Sequence, residues 1–291
     1  MKPLTFYIVD VFAERQYAGN QLAVFRDAGG LSDKQMQRIA REMNFSETTF
    51  ILSDDPRDDG YDVRIFTPVA EVPFAGHPTL GTAYVIRQEL LGDPAANVTL
   101  NLKVGPIPVT SADRDVLWMK QNQPDFGATI DSEAVASILG LNESDIDARF
   151  AVQEVSTGLW FVIVPLTSLD ATRRARTTKD KYHSLFETDR HAGILVFCPE
   201  AYSAHNDLNV RVFCPVYGIE EDPATGSGNG CLAGYLVKHR YFGSDAIDVR
   251  VEQGYEIGRP SLLRLRAGRQ DDSIDVNVGG RVVMVAKGQW L

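Results

Sequence analysis

His77-Pro78-Thr79-Leu80-Gly81-Thr82 and Asp222-Pro223-Ala224-Thr225-Gly226-Ser227 are near copies, at an offset of 222 − 77 = 145 residues. Each follows another shared string, Arg64-Ile65-Phe66-Thr67-Pro68-Val69 and Arg211-Val212-Phe213-Cys214-Pro215-Val216, at an offset of 211 − 64 = 147. An internal repeat of this length indicates a duplicated structural unit. The residue before the proline differs, an imidazole at His77 and a carboxylate at Asp222. Two different titratable groups at matched positions suit acid–base chemistry, in which one group takes a proton and another supplies it. Glu47 is a third candidate. Its neighbours Phe45, Phe50 and Ile51 promise an apolar setting that raises a carboxyl toward working pH. Each residue also has a plainer role: Glu47 as a strand-edge carboxylate, His77 as a helix cap or core histidine, Asp222 as an N-cap. The set weighs more than any member. The glycines at 226, 228 and 230 imitate a dinucleotide loop, but the acidic residue expected about 20 positions further on at a second strand end is missing.

These groups need elements to hold them. Tyr61, Val63 and Ile65 alternate with Asp62 and Arg64, and Leu208, Val210 and Val212 with Asn209 and Arg211, which predicts two strands, each with one wet face. Each strand runs into a proline-containing loop and then a helix. Proline suits the first helical position, so the helices are expected to start at Pro78 and Pro223, with His77 and Asp222 as caps. Ala83-Tyr84-Val85-Ile86 and Cys231 to Val237 are apolar nearly all round, as in a helix buried on most sides. The expected architecture is therefore α+β: two pseudo-symmetric halves, each a curved, mostly antiparallel sheet wrapped around one central helix. Residues 32–43 predict an amphipathic helix with Met36, Ile39, Ala40 and Met43 on one face and a Ser32…Gln35 capping box. A second copy of that helix is expected at 131–139, ending at Gly140. Further strands are expected at 5–12, 47–52, 115–120, 151–155, 160–165, 193–198, 247–252, 262–266, 274–278 and 281–286. The polar, turn-rich stretch 121–131 marks the boundary between halves 1–125 (with the C-terminal strand 281–291) and 126–280. Residues 171–192 are charged and weakly periodic.

Composition excludes several classes. A net charge of −10 leaves no basic stripe to neutralise a phosphate backbone, so no nucleic-acid partner is expected. The longest apolar run, 158–166, is far shorter than the roughly 20 residues a bilayer requires, and the start of the chain reads as a strand rather than a signal peptide. A cytoplasmic protein without a membrane partner is expected. Its three cysteines, Cys198, Cys214 and Cys231, lack C-x-x-C spacing and read as buried thiols. The basic run Arg173-Arg174-Ala175-Arg176 reads as a solvated helix face. Neither metal-ligand spacing nor a phosphate loop is visible, so no cofactor is expected.

Five ordered strings carry a resemblance: Gly19-Asn20-Gln21-Leu22-Ala23-Val24-Phe25; Met36 through Thr48; Arg64-Ile65-Phe66-Thr67-Pro68 with Glu71 and Pro73-Phe74-Ala75-Gly76-His77-Pro78; Asp222 through Ser227; and Gln253-Gly254-Tyr255-Glu256-Ile257-Gly258-Arg259-Pro260-Ser261. Together the chain resembles the phenazine-biosynthesis PhzF-like isomerases over roughly 6–84 and 208–262, and only in outline over about 125–200. The resemblance implies the diaminopimelate epimerase-like fold, in which two pseudo-symmetric domains meet at one active site. It implies catalytic positions at Glu47, His77 and Asp222. Asn20, Ser46, Gly76, Gly226, Ser227 and Gly228 are expected to bind substrate, the glycines by admitting close backbone approach. Gly228-Asn229 departs from the small apolar pair expected after Ser227 and implies a more polar pocket floor. The expected activity is cofactor-independent proton movement on a small carboxylic acid, seated on two helix N-termini. A cofactor-free racemase or epimerase of an amino or hydroxy acid, and a non-catalytic relative that binds a small acid or protein, are the alternatives. A thiol-pair racemase is disfavoured because the matched positions hold His77 and Asp222. A homodimer is expected.

Overall fold

Alternation of apolar and polar residues builds the strands, and burial follows it: Tyr61, Val63 and Ile65 are buried while Asp62 and Arg64 are half-buried. The computed structural model describes residues 3–113, 115–185, 191–215 and 219–291. Val216, the end of the second repeat string, lies outside the described residues. The chain divides into two compact units, Met1–Met119 with Gly279–Leu291, and Lys120–Val278.

The first unit holds β1 (Leu4–Val11), β2 (Asn20–Phe25), β3 (Glu47–Ile51), β4 (Tyr61–Phe66), β5 (Glu71–Val72), β6 (Val98–Leu102), β7 (Gly105–Asp113) and β8 (Val116–Lys120). The second holds β9 (Asp125–Thr129), β10 (Gln153–Ser156), β11 (Trp160–Pro165), β12 (His191–Cys198), β13 (Leu208–Cys214), β14 (Ile219–Asp222), β15 (Ala246–Gln253), β16 (Ser261–Gln270) and β17 (Ser273–Gly280). The last strand, β18 (Val282–Trp290), returns to the first unit and pairs antiparallel with β1. From β18 the first unit continues through β1–β2 antiparallel, β2–β3 parallel, β3–β4 and β4–β5 antiparallel, β4–β6 parallel and β6–β7 antiparallel. The second runs from β9 through β10–β11, β11–β12, β12–β13, β13–β14, β13–β15 and β15–β16 with the same succession of directions. The repeat seen in sequence is thus a repeat of topology.

Each sheet wraps one helix. In the first unit α1 (Asp33–Met43) crosses between the parallel β2 and β3, and α2 (Gly76–Val85) follows β5. Only Tyr84 in α2 escapes full burial, and the helix packs against β1, β2, β3, β6, β7 and β18. At Gly81 a Cβ would come within 2.6–2.8 Å of the Leu22 and Val11 side chains, so these side chains of the sheet pack directly on the helix backbone. α2 continues as a π-helical turn, Ile86–Leu91. In the second unit α3 (Ser132–Leu139) is capped by Asp131, α4 (Leu169–Arg174) and α5 (Lys179–Leu185) follow, and α6 (Gly226–Lys238) is the buried central helix against β10, β11, β12, β15 and β16.

The opposite sheet faces are covered too. Met36, Ile39 and Ala40 of α1 pack on Phe25, Phe50 and Phe66. Val135, Ile138, Ala171 and Tyr182 of α3 to α5 pack on Val162, Val164, Ile194, Val196 and Phe213. This second cover leaves no wet face on β13: Asn209 and Arg211, expected at solvent, are buried. The helix over 131–139 is present but is not the copy of α1. It lies between β9 and β10, whereas α4 and α5 form the crossover between the parallel β11 and β12, as α1 does between β2 and β3. The stretch 121–131, read as turns, carries β9. Among the described residues no helix is long and apolar enough to cross a membrane.

Candidate active site

The two helix starts differ from the sequence expectation. α2 begins at Gly76, capped by Ala75, which puts His77 second and Pro78 third in the helix. α6 begins at Gly226, capped by Thr225, so Asp222 is no cap; it is the last residue of β14. Strand register gives the reason. Ile65 faces Val72 on one ladder, and its repeat partner Val212 faces Asp222 on the other. Beyond the first string the offset is therefore 222 − 72 = 150, and His77 corresponds to Ser227, not to Asp222. One ion pair per unit anchors this register. Arg64 binds Glu71 through two N–H···O bonds of 2.8 and 2.7 Å, and Arg211 binds Glu221 through two of 3.0 and 2.7 Å. The Arg64 guanidinium holds the Glu71 carboxyl below the usual range. The similar His77-Pro78 and Asp222-Pro223 dipeptides, one inside its helix and one before it, had masked a connection three residues longer in the second copy.

In the first unit, Glu47 opens β3, Asn20 opens β2, and β2 pairs in parallel with β3, Leu22 against Glu47. Asn20 is buried and Ser46 half-buried. Alternation along β3 puts Glu47, Thr49 and Ile51 on one face, and Thr49 bonds Thr82 of α2 at 2.8 Å. Phe50 points to the other face, into the α1 core, so it does not line Glu47 as expected. What faces Glu47 is His77, with Nε2 at 3.5 Å from Glu47 Oε2. That distance fits an ion pair, but burial pushes His77 down to about 3, so the ring is neutral. Its bond to the Gln21 backbone favours the protonated ring, as donation to a carbonyl does, and Nε2 makes no hydrogen bond. The proton is therefore assigned to Nδ1, leaving a lone pair on Nε2 toward the carboxyl. Two lone pairs at this range repel unless a proton lies on one of them, so the pair is suited to hold and hand over a single proton.

In the second unit, Asp222 is 8% exposed. The Thr225 hydroxyl donates to its Oδ2, and Gln253 Nε2 donates to its main-chain carbonyl at 2.8 Å. Gly226 and Ser227 open α6, Ser227 half-buried. Gly228 is tightly packed: a Cβ there would stand 3.3 Å from Phe161 and Thr225. Asn229 does not make a polar pocket floor either. It is fully buried, and its amide donates to the Thr225 carbonyl (3.0 Å) and to Gln253 Oε1 (2.8 Å). Thr225, Asn229 and Gln253 were missed as neighbours of Asp222. Gln253 stood in a motif whose spacing says nothing of its partner 31 residues earlier. Cys198, Cys214 and Cys231 are buried and free of disulfides, and burial pushes the Cys231 thiol up to about 12. Of the basic run, Arg174 is ion-paired with Asp145 and Asp170.

Known proteins share this arrangement of chain. The profile of the family described as phenazine biosynthesis-like protein matches residues 9–288. An uncharacterized isomerase of Pasteurella multocida is 35% identical over 99% of this chain and 94% of its own. The trans-2,3-dihydro-3-hydroxyanthranilate isomerase of Pseudomonas chlororaphis is 36% identical over 97% and 98%. Among solved structures, the PhzF-family phenazine biosynthesis protein of Bacillus anthracis superposes with a TM-score of 0.91 at 29% identity, covering all of both chains. A probable proline racemase of Agrobacterium radiobacter, at 12% identity and a TM-score of 0.62, shares the fold alone over 99% of this chain and 93% of its own. The chain belongs to the phenazine biosynthesis-like family and is an enzyme of the isomerase class.

Proposed function

We propose that this member of the phenazine biosynthesis-like family moves a proton from one carbon to another of a small carboxylic acid, with Glu47 as the group that takes and returns it. The observation behind this reading is the contact between Glu47 Oε2 and the neutral, buried His77 Nε2 at 3.5 Å. The Glu47 carboxylate accepts the proton of a C–H bond, whose electron pair passes into the adjoining π system of the acid. His77 Nε2 stands ready to share that proton. A C–H bond then forms at a second carbon as the proton returns. Bonds and electrons balance, and no external oxidant or reductant is required. The N–H groups of Gly76 and His77 at the start of α2 suit a substrate carboxylate, because Pro78 has none and the helix dipole is positive there. Asp222, a buried carboxylate, is proposed to accept the same proton from the first carbon's side and release it again, sharing or relaying it rather than taking a second one. A thiol-pair mechanism is disfavoured, since Cys231 lies buried within α6.

The relative from Pseudomonas chlororaphis supplies the first compound to test, trans-2,3-dihydro-3-hydroxyanthranilate. In deuterated water, product formed by the wild-type chain should carry solvent deuterium, read by mass spectrometry. Glu47→Gln keeps the shape and removes the base, so turnover should fall at least ~10²-fold while binding persists. Full turnover in Glu47→Gln would place the base elsewhere.

A further inference from the structure

The groups around Asp222 fix one another's hydrogen-bond directions, starting from backbone groups that can only donate or only accept. The Asp222 carbonyl can only accept, so the Gln253 atom 2.8 Å from it is the amide nitrogen. The Thr225 backbone N–H can only donate, so the Gln253 atom it meets at 3.2 Å is the amide oxygen. Both assignments agree. The Thr225 carbonyl likewise identifies the Asn229 nitrogen, whose second proton goes to Gln253 Oε1. Gln253 Nε2 then donates its other proton to Thr225 Oγ1 at 3.0 Å. A hydroxyl that accepts from an amide has its own proton to give, and that proton points at Asp222 Oδ2.

The surrounding turn is held just as firmly. Gly254, at φ +75°, admits no side chain, because a Cβ would lie 2.6 Å from the Pro223 carbonyl. Ser261 donates to the same carbonyl at 2.8 Å. Gln253 and Asn229 are fully buried, so solvent offers no competing partner. A hydroxyl directed at one carboxylate oxygen stabilises the ionised form and sets the plane of the carboxyl group; bonds to charged groups are the stronger class.

We propose that Gln253 and Thr225 are positioning residues: Gln253 orients the Thr225 hydroxyl, and that hydroxyl holds Asp222 ionised and in one rotamer as a proton acceptor. The inference rests on the reading in which Asp222 serves the isomerisation. Asn229 completes the arrangement by anchoring the Gln253 oxygen from within α6.

The test uses the full chain and trans-2,3-dihydro-3-hydroxyanthranilate. Thr225→Val preserves shape and deletes the hydroxyl; kcat should drop by about tenfold or more with KM within twofold. Thr225→Ser should bring kcat back to within about threefold of wild type, a rescue that a purely structural role would not show. In a crystal structure of Thr225→Val the Asp222 carboxylate should be turned from its wild-type plane, a readout that needs no substrate. Gln253→Met serves as the second variant and should match Thr225→Val in the kcat loss. If Asp222→Asn abolishes turnover while Thr225→Val keeps both wild-type kcat and the wild-type carboxylate plane, the positioning role is overturned and the proposed reaction stands. If Asp222→Asn itself turns over normally, Asp222 has no part in the reaction and both readings of it fall.

Discussion

Residues 71–77 and 221–227 share a backbone plan and differ in where they carry their chemistry. Both start with a glutamate paired to an arginine of the preceding strand, both turn at a proline, and both enter a buried helix through Gly76 or Gly226. After that they diverge. The strand end is Val72 in one and Asp222 in the other, the cap is Ala75 or Thr225, and the second helical residue is His77 or Ser227. One segment therefore puts its titratable group on the helix and leaves the strand end apolar, while the other does the reverse. The ion pair maintains the frame, and the residues inside the frame are exchanged.

The pairs themselves are unequal, which gives the largest expected effect. Arg211 is 3% exposed at its side chain and also donates to the carbonyls of Thr172, Arg173 and Ala175 at 3.0, 3.1 and 2.7 Å. Arg64 is 22% exposed, and Glu71 keeps Lys103 as a second partner at 2.6 Å. Arg211→Met strands a buried carboxylate and three carbonyls, and should cost about 3–5 kcal/mol. Arg64→Met should cost about 1 kcal/mol. Urea unfolding of the two variants measures both; equal costs would break the comparison.

A smaller effect separates the two helix starts by pH. His77 has a folded pKa of about 3 against an ordinary value of 6.5, so as pH falls below 6.5 the unfolded chain takes up a proton that the folded chain refuses. The stability this neutral ring contributes is present above pH 6.5 and is lost on acidification, by up to about 1.4 kcal/mol per pH unit. His77→Gln should flatten that slope between pH 6.5 and 4.5 in urea titrations. An unchanged slope would remove His77 as its source. Ser227, at the corresponding position, does not titrate in this range.

The smallest effect concerns Cys231, which corresponds to Gly81 in the shared frame. Buried and protonated, it has no place in the proposed proton transfer. Cys231→Ala should leave kcat within twofold; a loss beyond tenfold in a folded variant would return the thiol to the reaction.

Much of the fold was legible because local physics decided it. The Ser32 and Gln35 pairing appears as an N–H···O bond of 2.9 Å, Asp131 and Gly140 bracket α3, and the two all-apolar helices are the central ones. Candidate site residues Glu47 and His77 face each other, although nothing in their spacing required it. Other features depended on distant partners. β7 holds Pro106 and Pro108, which argue against a strand taken alone, yet it is paired on both sides with β6 and β8. The burial of Arg211 depends on the α4 segment, whose Thr172, Arg173 and Ala175 carbonyls lie 36 to 39 residues earlier in the chain. The repeat register was misread because identical small residues outweighed a weaker but physical match, the arginine–glutamate pair.

The pairing of β1 with β18 sets an order for the birth of the molecule. Leu4 faces Trp290, so on a ribosome β1 waits for β18, which is made about 280 residues later. At ordinary elongation speeds the interval is on the order of 15–60 s. The second unit, Lys120–Val278, has every one of its own residues in hand before β18 is synthesised. The Glu47 and His77 unit is therefore the one whose sheet closes last, and a chain truncated just before residue 282 and released should show a protease-resistant second unit and a first unit whose β1 is open to cleavage.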